Sequence, residues 1–114
     1  MTSHRERASK RTASMVSIRV VANDAEGNGV PLRLTIYRPV EKAPGDWVCA
    51  YRIRCGQETL AEAEAPGTEK MSALYTCFVM LARAVEHLSE SHKLKWSYHD
   101  LWWVRHIMPQ QHDA

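Results

Sequence analysis

The stretch "WVCAYRIRC" (residues 47–55) decides the fold, because its side chains alternate strictly along the chain. One set comprises Trp47, Cys49, Tyr51, Ile53 and Cys55, and the other comprises Val48, Ala50, Arg52 and Arg54. A period of two is typical of a β-strand whose two faces meet different surroundings. The stretch therefore predicts the most regular strand of the chain.

Three flanking segments also have the composition of strands. They are "VSIRVVA" (16–22), "VPLRLTIYRPV" (30–40) and "ETLAEAEA" (58–65), each bounded by turn-forming residues. Residues 23–29 predict a turn, and "EKAPGD" (41–46) predicts a loop. The sequence therefore predicts four consecutive strands, with short connections that favour antiparallel neighbours.

The last predicted strand carries alanines on one side and glutamates on the other. Glu62 and Glu64 would face the same way as Arg52 and Arg54 of the preceding strand. Opposite charges on neighbouring strands stabilise a sheet modestly. We therefore expect these four side chains to form cross-strand ion pairs.

One strong helix follows, in "PGTEKMSALYTCFVMLARAVEHLSE" (66–90). Thr68 is the predicted N-cap, and Glu69 suits the positive end of the helix dipole. The apolar stripe has the spacing of one helix face and would lie on the sheet. Its predicted members are Met71, Leu74, Tyr75, Phe78, Leu81, Ala82, Val85 and Leu88.

Strands followed by a helix predict an α+β fold, in which an antiparallel sheet of about four to five strands packs on one long amphipathic helix. The predicted organisation is a basic, flexible leader (1–14), a single domain (15–108) and a C-terminal tail (109–114). Within the domain, residues 94–97 alternate like a further strand, and a short helix or irregular segment would follow them.

Composition limits the classes of protein to consider. The chain has 114 residues with a net charge of +2, and residues 1–14 hold four basic side chains against one glutamate, so the remainder carries −1. No apolar run approaches the roughly 18 residues of a membrane helix, and no secretory signal is recognisable. Three cysteines favour reduced thiols in the cytoplasm. We expect a cytoplasmic protein without a membrane partner.

The candidate metal ligands and nucleophiles are poorly spaced for chemistry. Cys49 and Cys55 would lie roughly 20 Å apart on one strand. Cys77 falls one residue from the helix stripe. We expect Cys49 and Cys77 to be buried, inert thiols. His92, His99 and His106 recur every seven residues, which separates them by about 10 Å on a helix. We therefore predict no metal site and no cofactor.

No catalytic residue is predicted either. His99 is adjacent to Asp100, but consecutive side chains point in different directions on a helix or a strand. A phosphate-binding loop of the GxxxxGK[ST] type is missing from the sequence. An enzyme would need a pocket that brings His99 or His106 to a distant carboxylate, so the sequence favours a non-enzymatic protein.

The C-terminal stretch "SYHDLWWVRH" (97–106) is instead typical of a contact surface. Trp102 and Trp103 are consecutive, so they cannot both point into one core, and aromatic side chains concentrate binding energy at protein interfaces. The predicted partner-binding residues are Trp96, Tyr98, His99, Trp102, Trp103, Arg105 and His106.

The chain also resembles a family of small bacterial domains of unknown function. The resemblance rests on "GDWVCAYRI" (45–53), "GTEKMSAL" (67–74) and "LKW" (94–96), and it covers roughly residues 32–104. The family motif GxDSxxAL has Asp and Ser where this chain has Glu69 and Lys70. The resemblance implies strands followed by a helix and brings no catalytic residues. Some relatives look like stand-alone proteins near toxin or secretion genes, which implies an immunity or adaptor role.

Two functional hypotheses follow from the sequence. The first is a protein-binding module that contacts a toxin, a secretion effector or a second copy of itself. The alternative is a nucleic-acid-associated protein, in which the basic leader meets phosphates and the C-terminal tryptophans stack on bases. The near-neutral charge of the body favours the first.

Overall fold

The computed structural model describes residues 13–96 and confirms the predicted α+β architecture. An antiparallel sheet packs on one long helix. The elements are β1 (Ser14–Asn23), β2 (Gly29–Tyr37), β3 (Val40–Ala43), β4 (Asp46–Cys55), β5 (Glu58–Gly67) and α1 (Lys70–Ser91). Within residues 13–96, no helix is both long and apolar enough to cross a membrane.

Strand β4, the "WVCAYRIRC" strand, organises the sheet. It pairs with β5 along nearly its whole length, and its other edge pairs first with β3 and then with β2. Strand β1 lies outside β2, and every pairing is antiparallel. Two strands that follow one another therefore share one edge of β4.

The prediction of a loop at 41–46 was wrong in its first half. Residues Val40–Ala43 form β3, and Ala43 pairs with Asp46 across the turn of Pro44 and Gly45. Gly45 has a φ of +77°, as the third residue of a type II turn requires, and a proline is common at the preceding position. The strand was hard to recognise in the sequence because it has only four residues between Pro39, which separates it from β2, and the turn at Pro44.

The N-cap of helix α1 is Glu69 rather than the predicted Thr68. The Glu69 carboxylate accepts hydrogen bonds from the backbone N–H groups of Met71 (3.0 Å) and Ser72 (3.1 Å). In return, the Ser72 hydroxyl accepts one from the backbone N–H of Glu69 (3.2 Å). This reciprocal pair is a capping box in which the acidic and hydroxyl residues have exchanged places.

The buried face of α1 is rotated from the predicted stripe. Met71 and Tyr75 are 64% and 61% exposed, whereas Ala73 and Cys77 are fully buried. The small side chains face the sheet because β5 presents alanines there, and the helix approaches this strand closely. The buried helix residues are Ala73, Cys77, Leu81, Ala82, Val85 and Leu88.

The core lies between α1 and one face of the sheet. Its strand members alternate along each strand, as the sequence predicted: Val20, Ala22, Leu32, Leu34, Ile36, Cys49, Tyr51, Ile53 and Ala65. After the helix, Leu94 is also buried in this core. Lys95 then exchanges both backbone hydrogen bonds with Asn23 of β1 (2.8 and 2.9 Å), so the chain is extended at this point.

Candidate functional site

The sheet has a second face that α1 does not touch. Among residues 13–96, no element packs over this surface, which we call the open face. Its side chains alternate with the core residues along each strand. They belong to Ser17, Arg19, Val21, Pro31, Arg33, Thr35, Tyr37, Val40, Lys42, Val48, Ala50, Arg52, Arg54, Glu62, Glu64 and Pro66.

The half of the open face that surrounds β3 contains a shallow depression with a volume of about 480 Å³, which we call the hollow. Its apolar lining includes Tyr37, Val40, Val48 and Ala50. Val40 and Val48 are directly paired across β3 and β4, so their side chains lie side by side. Charged residues surround this apolar patch, namely Arg38, Lys42, Arg52, Glu62 and Glu64.

Two ion pairs link charged side chains on the rim of the hollow. Arg52 Nε donates to Glu62 Oε1 at 3.0 Å, which confirms the predicted cross-strand pair. The Arg52 guanidinium also lies over the Tyr37 ring, 5.8 Å from its centre. On the other side, Lys42 Nζ lies 3.8 Å from Glu64 Oε1. These contacts orient the rim without filling the hollow.

The prediction that Arg54 pairs with a glutamate was wrong. The register between β4 and β5 places Glu62 opposite Arg52 and Glu64 opposite Ala50, and after a shift at Ile53 it places Thr59 opposite Arg54. The extra residue, Leu60, packs against the core. Arg54 instead donates from one terminal nitrogen to the backbone carbonyl of Gln57 at 3.2 Å. The bulge thus turns Leu60 toward the core and leaves Thr59 beside Arg54, while the register itself assigns both glutamates to other partners.

Three arginines form a row across the other half of the open face, which we call the arginine row. Arg19 of β1 is paired with Arg33 of β2, and Arg33 is paired with Arg54 of β4. Within the described part of the chain, no carboxylate lies within ion-pair distance of any of the three. The row lines a second depression of about 410 Å³, together with Pro31 and the turn at Gly56 and Gln57.

The structure describes only the first of the predicted partner-binding residues. Trp96 is half-buried and packs against the core, and its indole nitrogen is buried without a hydrogen-bond partner in residues 13–96. The other six, Tyr98, His99, Trp102, Trp103, Arg105 and His106, lie outside the described residues. A contact role for this segment stays a prediction.

The positions of the cysteines and of the His, Asp and Glu side chains bear on metal and thiol chemistry. Between residues 13 and 96, no three His, Cys, Asp or Glu side chains are grouped as metal ligands. Cys49 and Cys77 are buried neighbours, as predicted for buried thiols. The hydrogen bond that the Cys77 thiol donates to Cys49, together with burial, raises the pKa of Cys77 well above its ordinary value. The Cys49 thiol also contacts the Tyr37 carbonyl oxygen at 3.4 Å, so both thiols are engaged within the fold.

Sequence reasoning missed the arginine row and the hollow. Each arginine occupies a position that alternates with core residues, so its place on the open face could be predicted. Their alignment depends on the register between β2 and β4, and β3 with its two turns intervenes between these strands. No local sequence pattern fixes a register across such a connection.

Comparison with known proteins identifies the family. Neither the curated proteins nor the solved structures include a match to this chain. A domain family of unknown function, DUF6968, matches residues 16–106, which include the described sheet apart from the first two residues of β1, and the whole of α1. The chain therefore belongs to the DUF6968 family.

Proposed function

We propose that this protein is a non-enzymatic binding module that acts in the cytoplasm by holding a partner protein against the open face of its sheet. An immunity or adaptor protein is the form of module that we favour. The observation that carries the proposal is the hollow, a depression in which a small apolar patch lies among charged residues of both signs. Exposed apolar patches with polar rims are typical of protein-interaction sites.

The hollow has the properties of a site for one anchoring side chain. Its floor is formed by short side chains of the paired strands β3 and β4, and Tyr37 also lines it. An aliphatic or aromatic side chain of the partner would be desolvated there. The charged rim would exclude water around it, the arrangement in which a few residues carry most of the binding energy.

The charge of the open face indicates the chemistry of the partner. Its strands carry five cationic side chains against the two carboxylates of Glu62 and Glu64. A protein with an acidic surface around an apolar anchor would complement this face. A symmetric contact between two copies of the open face would bring like charges together, so we favour a different protein over a homodimer.

Comparative affinity purification tests the proposal. The tagged full-length protein and two variants, Val48→Glu and Tyr75→Glu, are used to capture partners from the native cytosol. Val48 lies in the hollow, whereas Tyr75 is exposed on the helix. We expect one stoichiometric protein partner with an acidic surface, retained by Tyr75→Glu and lost by Val48→Glu, after circular dichroism confirms that both variants fold.

A third variant that lacks residues 97–114 separates the hollow from the predicted C-terminal contact segment. Partner retention by Val48→Glu together with loss by the truncated chain would contradict the hollow and favour the C-terminal tryptophans. Complementary analysis of purified protein by light scattering measures self-association. A homodimer that Val48→Glu dissociates, with no other partner, would contradict the preference for a different protein.

A further inference from the structure

We propose that the arginine row is a binding site for the phosphate group of a small phosphate monoester. This site is separate from the hollow and does not depend on the proposed protein partner. It is formed by Arg19, Arg33 and Arg54, which lie on three neighbouring strands in direct register.

The arginine row destabilises the sheet when no ligand is bound. Like charges directly opposite one another destabilise a sheet, and here two such pairs occur in succession. Arg52 on the same face has the usual arrangement, because Glu62 pairs with it at 3.0 Å. An anionic ligand would remove the repulsion that the described residues leave uncompensated.

Two of the guanidinium groups are already oriented. Arg33 donates to the Ser17 hydroxyl at 3.2 Å, and this hydroxyl is itself hydrogen-bonded to Thr35 at 3.0 Å. Arg54 donates to the carbonyl of Gln57 in the two-residue turn between β4 and β5. Its Nε is buried without a hydrogen-bond partner within residues 13–96. Side chains held in this way lose little further freedom when they bind a ligand.

Charge and size point to a monoester. Guanidinium groups bind phosphate oxygens through paired N–H groups. Three positive charges match the dianion of a phosphate monoester better than the single charge of a carboxylate. The depression of about 410 Å³ falls within the range of roughly 300–1,000 Å³ of small-molecule pockets.

The surroundings argue against an extended polyanion. Beyond the row, the open face continues with Arg52 already neutralised by Glu62, and then with Glu64. A nucleic-acid strand that follows the face would meet these carboxylates after a few ångströms. The site therefore suits one local phosphate group rather than a phosphate backbone.

Calorimetric titration of the full chain with glycerol 3-phosphate and O-phosphoserine tests the inference. We expect saturable binding of both probes, and at least tenfold weaker binding by Arg33→Gln and by Arg33→Lys, since lysine keeps the charge but lacks the paired donors. Arg19→Gln and Arg54→Gln should also bind more weakly. Arg83→Gln, an exposed arginine of the helix, is the charge-matched control and should bind as the unmodified chain does.

Several outcomes would overturn the inference. They are the absence of binding, an equal loss of affinity in Arg83→Gln, and unchanged affinity in Arg33→Lys. The first would exclude the site. Either of the others would show that the probes are attracted only by positive charge in general. If a single-stranded oligonucleotide binds more tightly than the probes, with a steep salt dependence, the ligand of this site is nucleic acid and not a small monoester. Val48→Glu should bind the probes normally, so failure of this site and failure of the proposed protein contact can be distinguished.

Discussion

Gly67 at the end of β5 lies directly against the backbone of Ala73 in the first turns of α1. A Cβ atom on residue 67 would stand 2.6 Å from the Cα of Ala73 and 2.6 Å from the Ser72 hydroxyl. Real side chains do not approach backbone so closely. The absence of a side chain at residue 67 therefore allows the helix to fold back over the sheet and bury its small residues.

Substitution of this glycine should destabilise the fold. Gly67→Ala forces the helix away from β5, and we expect a loss of about 2–3 kcal/mol in the free energy of unfolding, the usual cost of overpacking. Urea denaturation measures the change. Glu58→Ala, at the exposed start of the same strand, should change stability by less than about 0.5 kcal/mol. Equal stability of the two variants would contradict the close packing.

The N-cap of α1 provides a second test of the structure, because the sequence predicted Thr68 at this position and the structure has Glu69. Glu69→Ala removes the acceptor of two backbone hydrogen bonds and should cost about 1 kcal/mol. Thr68→Ala should change the free energy of unfolding much less, since the backbone N–H of Thr68 bonds to the Ser72 hydroxyl and would remain. A larger effect at Thr68 would restore the sequence-based prediction of the cap.

Substitution of two arginines of the open face should shift the melting temperature in opposite directions. Arg33→Gln removes the central charge of the row, so we expect a higher melting temperature at low salt, with the difference narrowing as salt screens the repulsion. Arg52→Gln loses the Glu62 pair and the Tyr37 contact, and should melt at a lower temperature. Differential scanning calorimetry compares them. A decrease in both variants would contradict the uncompensated row.

The three thiols should differ in reactivity. Cys77 is fully buried and its pKa is raised, so little thiolate forms at neutral pH. Alkylation depends on the thiolate and on access to it. We expect iodoacetamide to modify the half-buried Cys55 first and to leave Cys77 unmodified in the folded protein, as peptide mass spectrometry would show. Modification of all three at one rate would contradict the core described above.

The strands were predictable because each alternates between a core face and an open face. Residues 47–55 identified β4 correctly, since Ile53 and Cys49 are buried while Arg52 is not. Charge pairing was half predictable: Arg52 meets Glu62, but the register places Glu64 opposite Ala50 and leaves no glutamate opposite Arg54. The alternating pattern predicts which face a side chain occupies, but it does not fix which residues of two strands are paired.

The helix face was harder to predict. Hydrophobicity alone favoured Met71 and Tyr75, both of which are exposed. The close approach of α1 to β5 selects small residues, so Ala73 and Cys77 take the buried positions. This selection depends on Gly67 and on the alanines of β5, which lie on another element. It is therefore a property of the tertiary packing rather than of the helix sequence.

Oxidative footprinting of the purified complex tests the central claim, that the open face holds a partner protein. Tyr37 lines the hollow and Tyr75 is exposed on the opposite side of the molecule, so the two tyrosines form an internal comparison. We predict that the partner lowers the rate of Tyr37 oxidation several-fold and leaves that of Tyr75 unchanged. Protection of Tyr75 with unchanged oxidation of Tyr37 would contradict the account.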